Sequence, residues 1–194
     1  EQFRFQIRSG WPTVSVVIPV HGGREDLHAC LTSLDACRDL LHEVILIDNA
    51  SSDRATEEGQ RYEFVRTIHN DTNLGFAKAC NQGVEASTGE LVLFLNSDTV
   101  VPRSGLVRLI EALQSSGSIA AAGPYTNNCG HFQRIDPTYT SLNTLDLFAD
   151  DFAIREASDM DTDMLVGFCL AARRSVLDEL GGFDERFGLG TFEA

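Results

Sequence analysis

Basic charge is what this chain has least of. Fifteen lysines and arginines stand against 29 aspartates and glutamates, a formal net charge of −14. That balance argues against nucleic acid or an anionic membrane surface as the main partner, because neither is drawn to a negative field. An anionic ligand would need a metal ion or local basic groups beside it. Long apolar runs are absent as well. Nothing approaches the ~20 residues of a membrane span and no secretory leader opens the chain, so a soluble protein is expected. The five cysteines, Cys30, Cys37, Cys80, Cys129 and Cys169, form no Cys-x-x-Cys pair and are odd in number. Neither a zinc knuckle nor a complete disulfide framework follows, and a reducing compartment is expected. A Gly-x-Gly-x-x-Gly turn after the first strand and a Gly-Lys-Ser/Thr phosphate loop are both missing, which removes the two commonest nucleotide-binding signatures.

What is present is an alternation of strand and helix signals in a chain of 194 residues and 43% hydrophobic content, enough for one full core or two fused half-domains. Val14 to Val20 is a β-branched run stopped at Gly22-Gly23, and Leu27, Cys30, Leu31 and Leu34 follow at helical spacing. Val44 to Ile47 and Phe64 to Ile68 predict two more strands. Phe76, Ala79, Cys80, Gly83 and Val84 describe one buried helix face. The most apolar stretch, Leu91 to Leu95, reads as a strand buried on both faces. Pro102 can open a helix carrying Leu106, Leu109, Ile110 and Leu113, and Ile119 to Ala122 predicts a short strand. These features predict an α/β fold, a doubly wound and mostly parallel sheet over residues 13–123 that follows an extension at 1–12. Residues 124–194 form a smaller second half. Within it, 125–163 is acidic and poorly periodic and predicts a solvated loop region, with a substrate-facing loop as the functional alternative. Leu165 to Ala172 predicts a strand, and Arg174 to Leu180 a short helix stopped by Gly181-Gly182. The Arg173-Arg174 pair reads as a surface feature flanking that helix.

In open α/β sheets ligands lie beyond the carboxyl ends of the strands. Three such ends are polar here: Pro19-Val20-His21-Gly22, Asp48 to Asp53, and Asn96-Ser97-Asp98. Together they favour a binding crevice. The oxygen-bearing side chains of Asn96 and Asp98 suit a hard divalent cation, Mg²⁺ or Mn²⁺.

These stretches, in this order and spacing, resemble the family 2 glycosyltransferases, inverting enzymes of the GT-A fold. The marks are Val16 to Gly22, Ile47 to Asp53, Asn73 to Ala77 with Asn81-Gln82-Gly83, and Leu95 to Thr99, followed by Gly167, Gly181 to Asp184 and Phe187 to Glu193. The rhamnosyltransferase-like branch, which builds bacterial surface polysaccharides, is the most similar. The resemblance implies transfer of a sugar from a UDP- or dTDP-linked donor to a glycan or lipid-linked acceptor, on the cytoplasmic side and peripherally at the inner face of the membrane.

Roles follow residue by residue. Asp48 corresponds to the acid that accepts from the pyrimidine base, with Pro19 and His21 lining the same pocket. Asp53 contacts ribose or caps the next helix. Asn73, Lys78, Asn81, Asn96 and Ser97 fall at nucleotide-binding positions, Lys78 as a phosphate partner or a surface lysine. Asn96 and Asp98 match the metal-binding Asp-x-Asp, with the weaker amide ligand first, so a metal is expected to arrive with the diphosphate. Gly167, Gly182 and Phe183 fall on the acceptor side. Glu193 matches the first acid of the family's Glu-Asp pair, whose second member is the general base, but Ala194 occupies that second position. A chain stopping just short of the acid, with alanine as a fusion remnant, is expected over a natural end, and slow or absent transfer with it. A catalytically impaired binding module of a larger protein is the alternative. A sugar-1-phosphate nucleotidyltransferase fits less well, since His21-Gly22-Gly23-Arg24 is a poor match to its glycine-rich loop.

Overall fold

The computed structural model describes residues 10–129, 132–155 and 158–188. The elements in chain order are β1 (Val14–Val20), α1 (Arg24–Asp35), β2 (Glu43–Asn49), β3 (Val65–Asn70), α2 (Phe76–Ala86), β4 (Leu91–Leu95), α3 (Arg103–Ser115), β5 (Ala121–Ala122), α4 (Leu145–Arg155), β6 (Cys169–Arg173) and α5 (Arg174–Leu180), with a 3₁₀ segment at Ala55–Arg61. One mixed sheet has the order β3-β2-β1-β4-β6-β5. Its first four strands run parallel, and β6 runs antiparallel to both β4 and β5.

Side-chain alternation divides the core between the two faces of this sheet. Val16, Ile18, Leu46, Leu93 and Leu95 pack with Leu27, Leu31 and Leu34 of α1 and Leu106, Ile110 and Leu113 of α3. Val17, Ile45, Ile47, Val92 and Phe94 pack with Ala79, Cys80 and Val84 of α2 and Leu177 of α5. Because β4 is wholly buried, it contributes to both layers, and truncating any of its leucines to alanine costs roughly 2–5 kcal/mol. Gly83 marks the closest approach of the second layer: a Cβ there would lie 2.1 Å from Val17 Cγ1, so α2 sits directly on β1.

Three expectations need correction. The strand expected at 119–122 is only Ala121–Ala122, and it pairs with β6 rather than extending the parallel block. The strand expected from Leu165 begins at Cys169, because the preceding backbone is held by loops: Val166 N donates to Gln133 Oε1 at 2.7 Å and Phe168 O accepts from Asn96 N at 2.8 Å. The region 125–163 is not loop throughout. It contains α4, whose Phe148, Ala149, Phe152 and Ala153 form an inner stripe at i, i+1, i+4 and i+5 while Asp146, Asp150 and Asp151 dominate its composition. The sheet is continuous across position 123, since β6 lies between β4 and β5.

Candidate active site

All four parallel strands end on one edge, and in-register pairing puts Val20 beside Asp48 and Asp48 beside His69. Asp48 is buried, at 8% exposure. Its Oδ1 accepts from Ser51 N at 2.9 Å, and its Oδ2 accepts from Thr56 Oγ1 at 2.9 Å and His69 Nδ1 at 3.0 Å. Burial pushes this carboxyl up, but the hydrogen bonds from Ser51, Thr56 and His69 outweigh it and hold the group below the ordinary carboxylate range. The loop that wraps it is strained, with Ala50 at φ 61° and Arg54 at φ 56°.

Pro19 is half-buried next to Ile47. His21 is exposed, and its Nδ1 lies 2.7 Å from Asn49 O. A carbonyl only accepts, so Nδ1 carries the proton and Nε2 faces outward. Asp53 caps mainly the preceding helix and not only the next one: its Oδ2 accepts from Gly23 N at 2.9 Å and Arg24 N at 3.3 Å, closing the amino end of α1, while Oδ1 accepts from Ala55 N at 3.1 Å at the start of the 3₁₀ segment.

The amino end of α2 reaches the same edge because the helix leads from the end of β3 back to the start of β4. Asn73 Oδ1 accepts from Gly75 N at 2.9 Å, fixing the turn into the helix. Lys78, the chain's single lysine, is exposed one turn in. No described residue pairs with it. Asn81 does not share that surface. Its Oδ1 accepts from Phe183 N at 2.8 Å and its Nδ2 donates to Phe183 O at 2.9 Å and Glu185 Oε1 at 3.0 Å. Its amide is thus occupied in clamping the turn after α5. Gly182 is required there, with φ 82° and a Cβ that would fall 2.4 Å from Asn81 Oδ1. The Phe183 ring meets Phe94 edge-on at 4.8 Å, so this acceptor-side candidate is also an anchor.

Beyond β4, Asn96 N donates to Phe168 O and Thr99 N to Asn96 O at 3.1 Å, a turn that holds Asn96, Ser97 and Asp98 in place. The side chains of Asn96 and Asp98 have no hydrogen-bond or ion-pair partner among the described residues. Both line a cleft of about 1350 Å³ that Gly182 and Phe183 also line. Under the turn, Cys30 Sγ lies 3.9 Å from Asn96 O, and burial pushes that thiol up, as it pushes Cys169 up to about 12. Cys37 is buried and raised in the same way, so none of these three thiols is poised as a nucleophile. Gly167 is half-buried just before Phe168. Glu193 and Ala194 lie outside the described residues.

Several site residues carry no local sequence signal. His69 and Thr56 hold Asp48, and a chain of amides joins Asn49 to Asn70 at 2.9 Å and Asn70 to Gln82 at 2.8 and 3.0 Å, tying β2, β3 and α2. Only strand register, which places His69 and Asn70 opposite Asp48 and Asn49, could have found them. Arg173 and Arg174, expected as surface residues, instead point to opposite faces. Arg173 donates to Ile119 O, Leu113 O and Ser116 O at the end of α3. Arg174 donates to Gly89 O, Val84 O and Ser87 Oγ at the end of α2. Each supplies a cation at the carbonyl end of a helix, where the dipole favours it.

A mostly parallel sheet whose carboxyl edge carries a held carboxylate, an exposed lysine and an unpaired amide–carboxylate tip beside a wide cleft defines a GT-A fold, and solved chains agree. The mannosyltransferase PcManGT from Pyrobaculum calidifontis, in complex with GDP-Man and Mn²⁺, superposes with a TM-score of 0.66 at 22% identity, covering 90% of this chain and 48% of that one. GalNAc-T7 with UDP, GalNAc and Mn²⁺ gives a TM-score of 0.72 at 18% identity, covering 96% and 39%. The chain belongs to glycosyl transferase family 2, whose model matches residues 15–181. A curated relative, the dolichol-phosphate mannosyltransferase of Pyrococcus furiosus, is 28% identical over 116 residues, 58% of this chain. The chain spans 33% of that relative's length.

Proposed function

We propose that this chain binds a nucleoside-diphosphate sugar along the carboxyl edge and passes the sugar, with inversion, to a glycan or lipid-linked acceptor. The observation that carries this is the unpaired Asn96–Asp98 tip at the mouth of the cleft, in line with the held carboxylate of Asp48. The Oδ1 of Asp48, which accepts from Ser51 N, is the oxygen that a base imide N–H would approach, which fits a UDP- or dTDP-linked donor. The outward Nε2 of His21 and the ring of Pro19 border the same position. Lys78, near the positive end of α2, balances phosphate charge. Ser97 sits between the two tip residues.

Asn96, half-buried, and Asp98, exposed, offer hard oxygen donors with no partner among the described residues, a set that fits Mg²⁺ or Mn²⁺. Such an ion, when bound, neutralises charge on the leaving diphosphate. Inversion requires the acceptor hydroxyl to approach from the cleft, opposite the diphosphate, on the side where Gly167, Gly182 and Phe183 lie, with Glu193 as the candidate acid on that side. The order and spacing of the motifs, Gly181 to Asp184 among them, favour the rhamnosyltransferase-like branch. With a lipid-linked glycan as acceptor, the place of action is the cytoplasmic face of the membrane, held peripherally. Calorimetric titration with UDP, dTDP and GDP, each with and without Mn²⁺, tests the proposal. Metal-dependent binding of one diphosphate is expected and names the donor class; binding of none overturns it.

A further inference from the structure

Past Asn96 and Asp98 the cleft runs on between α3, α4, β5 and β6, and its far wall is aromatic. Tyr139 and Phe148 have centroids 5.3 Å apart, Phe148 and Phe152 lie 5.8 Å apart and only 20° from parallel, and Phe152 meets Tyr125 at 5.6 Å. All four rings line the cleft and are half-buried. Linked rings usually serve as core, yet here they face about 1350 Å³ of open space, more than an ordinary small-ligand pocket.

The charge of the lining decides between occupants. Its described charged residues are Asp98, Asp159, Asp161 and Asp163 against the single cation Arg108. Arg108 lies 3.8 Å from Asp159 and donates to Ala153 O at 3.4 Å. A phosphate entering this space therefore meets carboxylates and no unpaired cation among the described residues. A neutral polyol meets complementary groups. The negative faces of the rings attract the polarised C–H edges of a pyranose, and carboxylates accept hydrogen bonds from hydroxyls.

We propose that this cleft receives the acceptor as a neutral pyranose unit of a glycan, stacked on the Phe148–Phe152–Tyr125 wall, and that it disfavours acceptors presenting a phosphate at the reacting end. The proposal rests on the donor reading above, since it needs donor and acceptor to share one cavity. A lipid carrier is compatible with it only where a neutral sugar stands between the reacting hydroxyl and the carrier's phosphate.

Saturation-transfer NMR on the whole chain tests this with methyl hexopyranosides and farnesyl phosphate as probes, UDP and Mn²⁺ being titrated into the same samples. Pyranoside C–H protons are expected to receive saturation, and Phe152→Ala to weaken the pyranoside about five- to tenfold while diphosphate binding is unchanged. Phe148→Leu, which keeps most of the volume, gives a smaller loss and covers the case in which Phe152→Ala fails to fold. Asp161→Lys is expected to strengthen farnesyl phosphate severalfold and leave the pyranoside within twofold. No pyranoside binding, binding indifferent to both phenylalanines, or farnesyl phosphate held more tightly at the same wall would each overturn the proposal. Loss of diphosphate binding alone, with pyranoside stacking intact, would sink the donor reading and leave the acceptor subsite standing.

Discussion

At the amino-terminal edge of the sheet Glu43 accepts from Ser15 Oγ, Thr88 N, Thr88 Oγ1 and the Arg66 guanidinium, all within 3.1 Å, whereas Asp98 at the carboxyl edge has no such partner among the described residues. Both are carboxylates at strand ends of one sheet. The first joins β1, β2, β3 and the turn before β4, and next to it Thr13 and Glu90 cap one another's backbone N–H groups at 3.0 Å. The second holds nothing together. Stabilising contacts thus gather at one end of the strands and the proposed ligand contacts at the other, where a polar group is left without a partner among the described residues at a rigid position.

The sharpest break of this contrast is Asp98→Ala. It should weaken metal-dependent diphosphate binding by on the order of 10²-fold and leave the thermal midpoint within a degree or two; a matching loss of stability would show that the tip is structural after all. Glu43→Gln should do the reverse. Burial raises the Glu43 pKa, but hydrogen bonds from Thr88, Ser15 and Arg66 take it from 4.5 down to about 2. A folded pKa below the unfolded one adds stability that is complete above the unfolded value and is lost as pH falls through the folded one, here from about pH 5 to about pH 2. The wild type should therefore exceed Glu43→Gln by about 2 kcal/mol at pH 7 and match it near pH 2, read by urea denaturation at both pH values with diphosphate affinity unaltered.

Smaller effects sharpen the picture. Lys78→Ala should reduce diphosphate affinity about three- to tenfold at low ionic strength and less at 0.5 M salt, as expected of an exposed cation; a salt-independent loss would assign the lysine to another role. Thr13→Ala should cost only about 0.5 kcal/mol, because its reciprocal cap with Glu90 is exposed to water; a cost above 2 kcal/mol would make this corner a structural keystone.

Much of this division was legible from residues alone, for a physical reason. Leu91 to Leu95 had to be a doubly buried strand, and whatever followed it had to face the ligand edge. Asp48 and Asp98 were recognisable in the same way. What stayed hidden depends on strand register or on long-range contacts: His69 and Thr56 reach Asp48 from other elements, and the amide of Asn81, which falls at a nucleotide-binding position, is engaged by Phe183 and Glu185. The helix α4 was masked by its own aspartates. Its apolar stripe is only four residues, and the aromatic partners that complete it, Tyr125 and Tyr139, come from flanking loops.

The adjacent arginines that end β6 have one more consequence. Because Arg173 closes α3 on one face and Arg174 closes α2 on the other, a single dipeptide rivets both layers at the moment the return strand docks. Strand β6 is tied to both helix ends by its own last two residues, beside its pairing with β4 and β5, while Gln133 holds the backbone just ahead of it. Residues 134–163 can then be exchanged like an interchangeable tool head, with the sheet left in register. A graft of this stretch from a family member with a different acceptor is expected to keep the sheet and change only what the cleft receives.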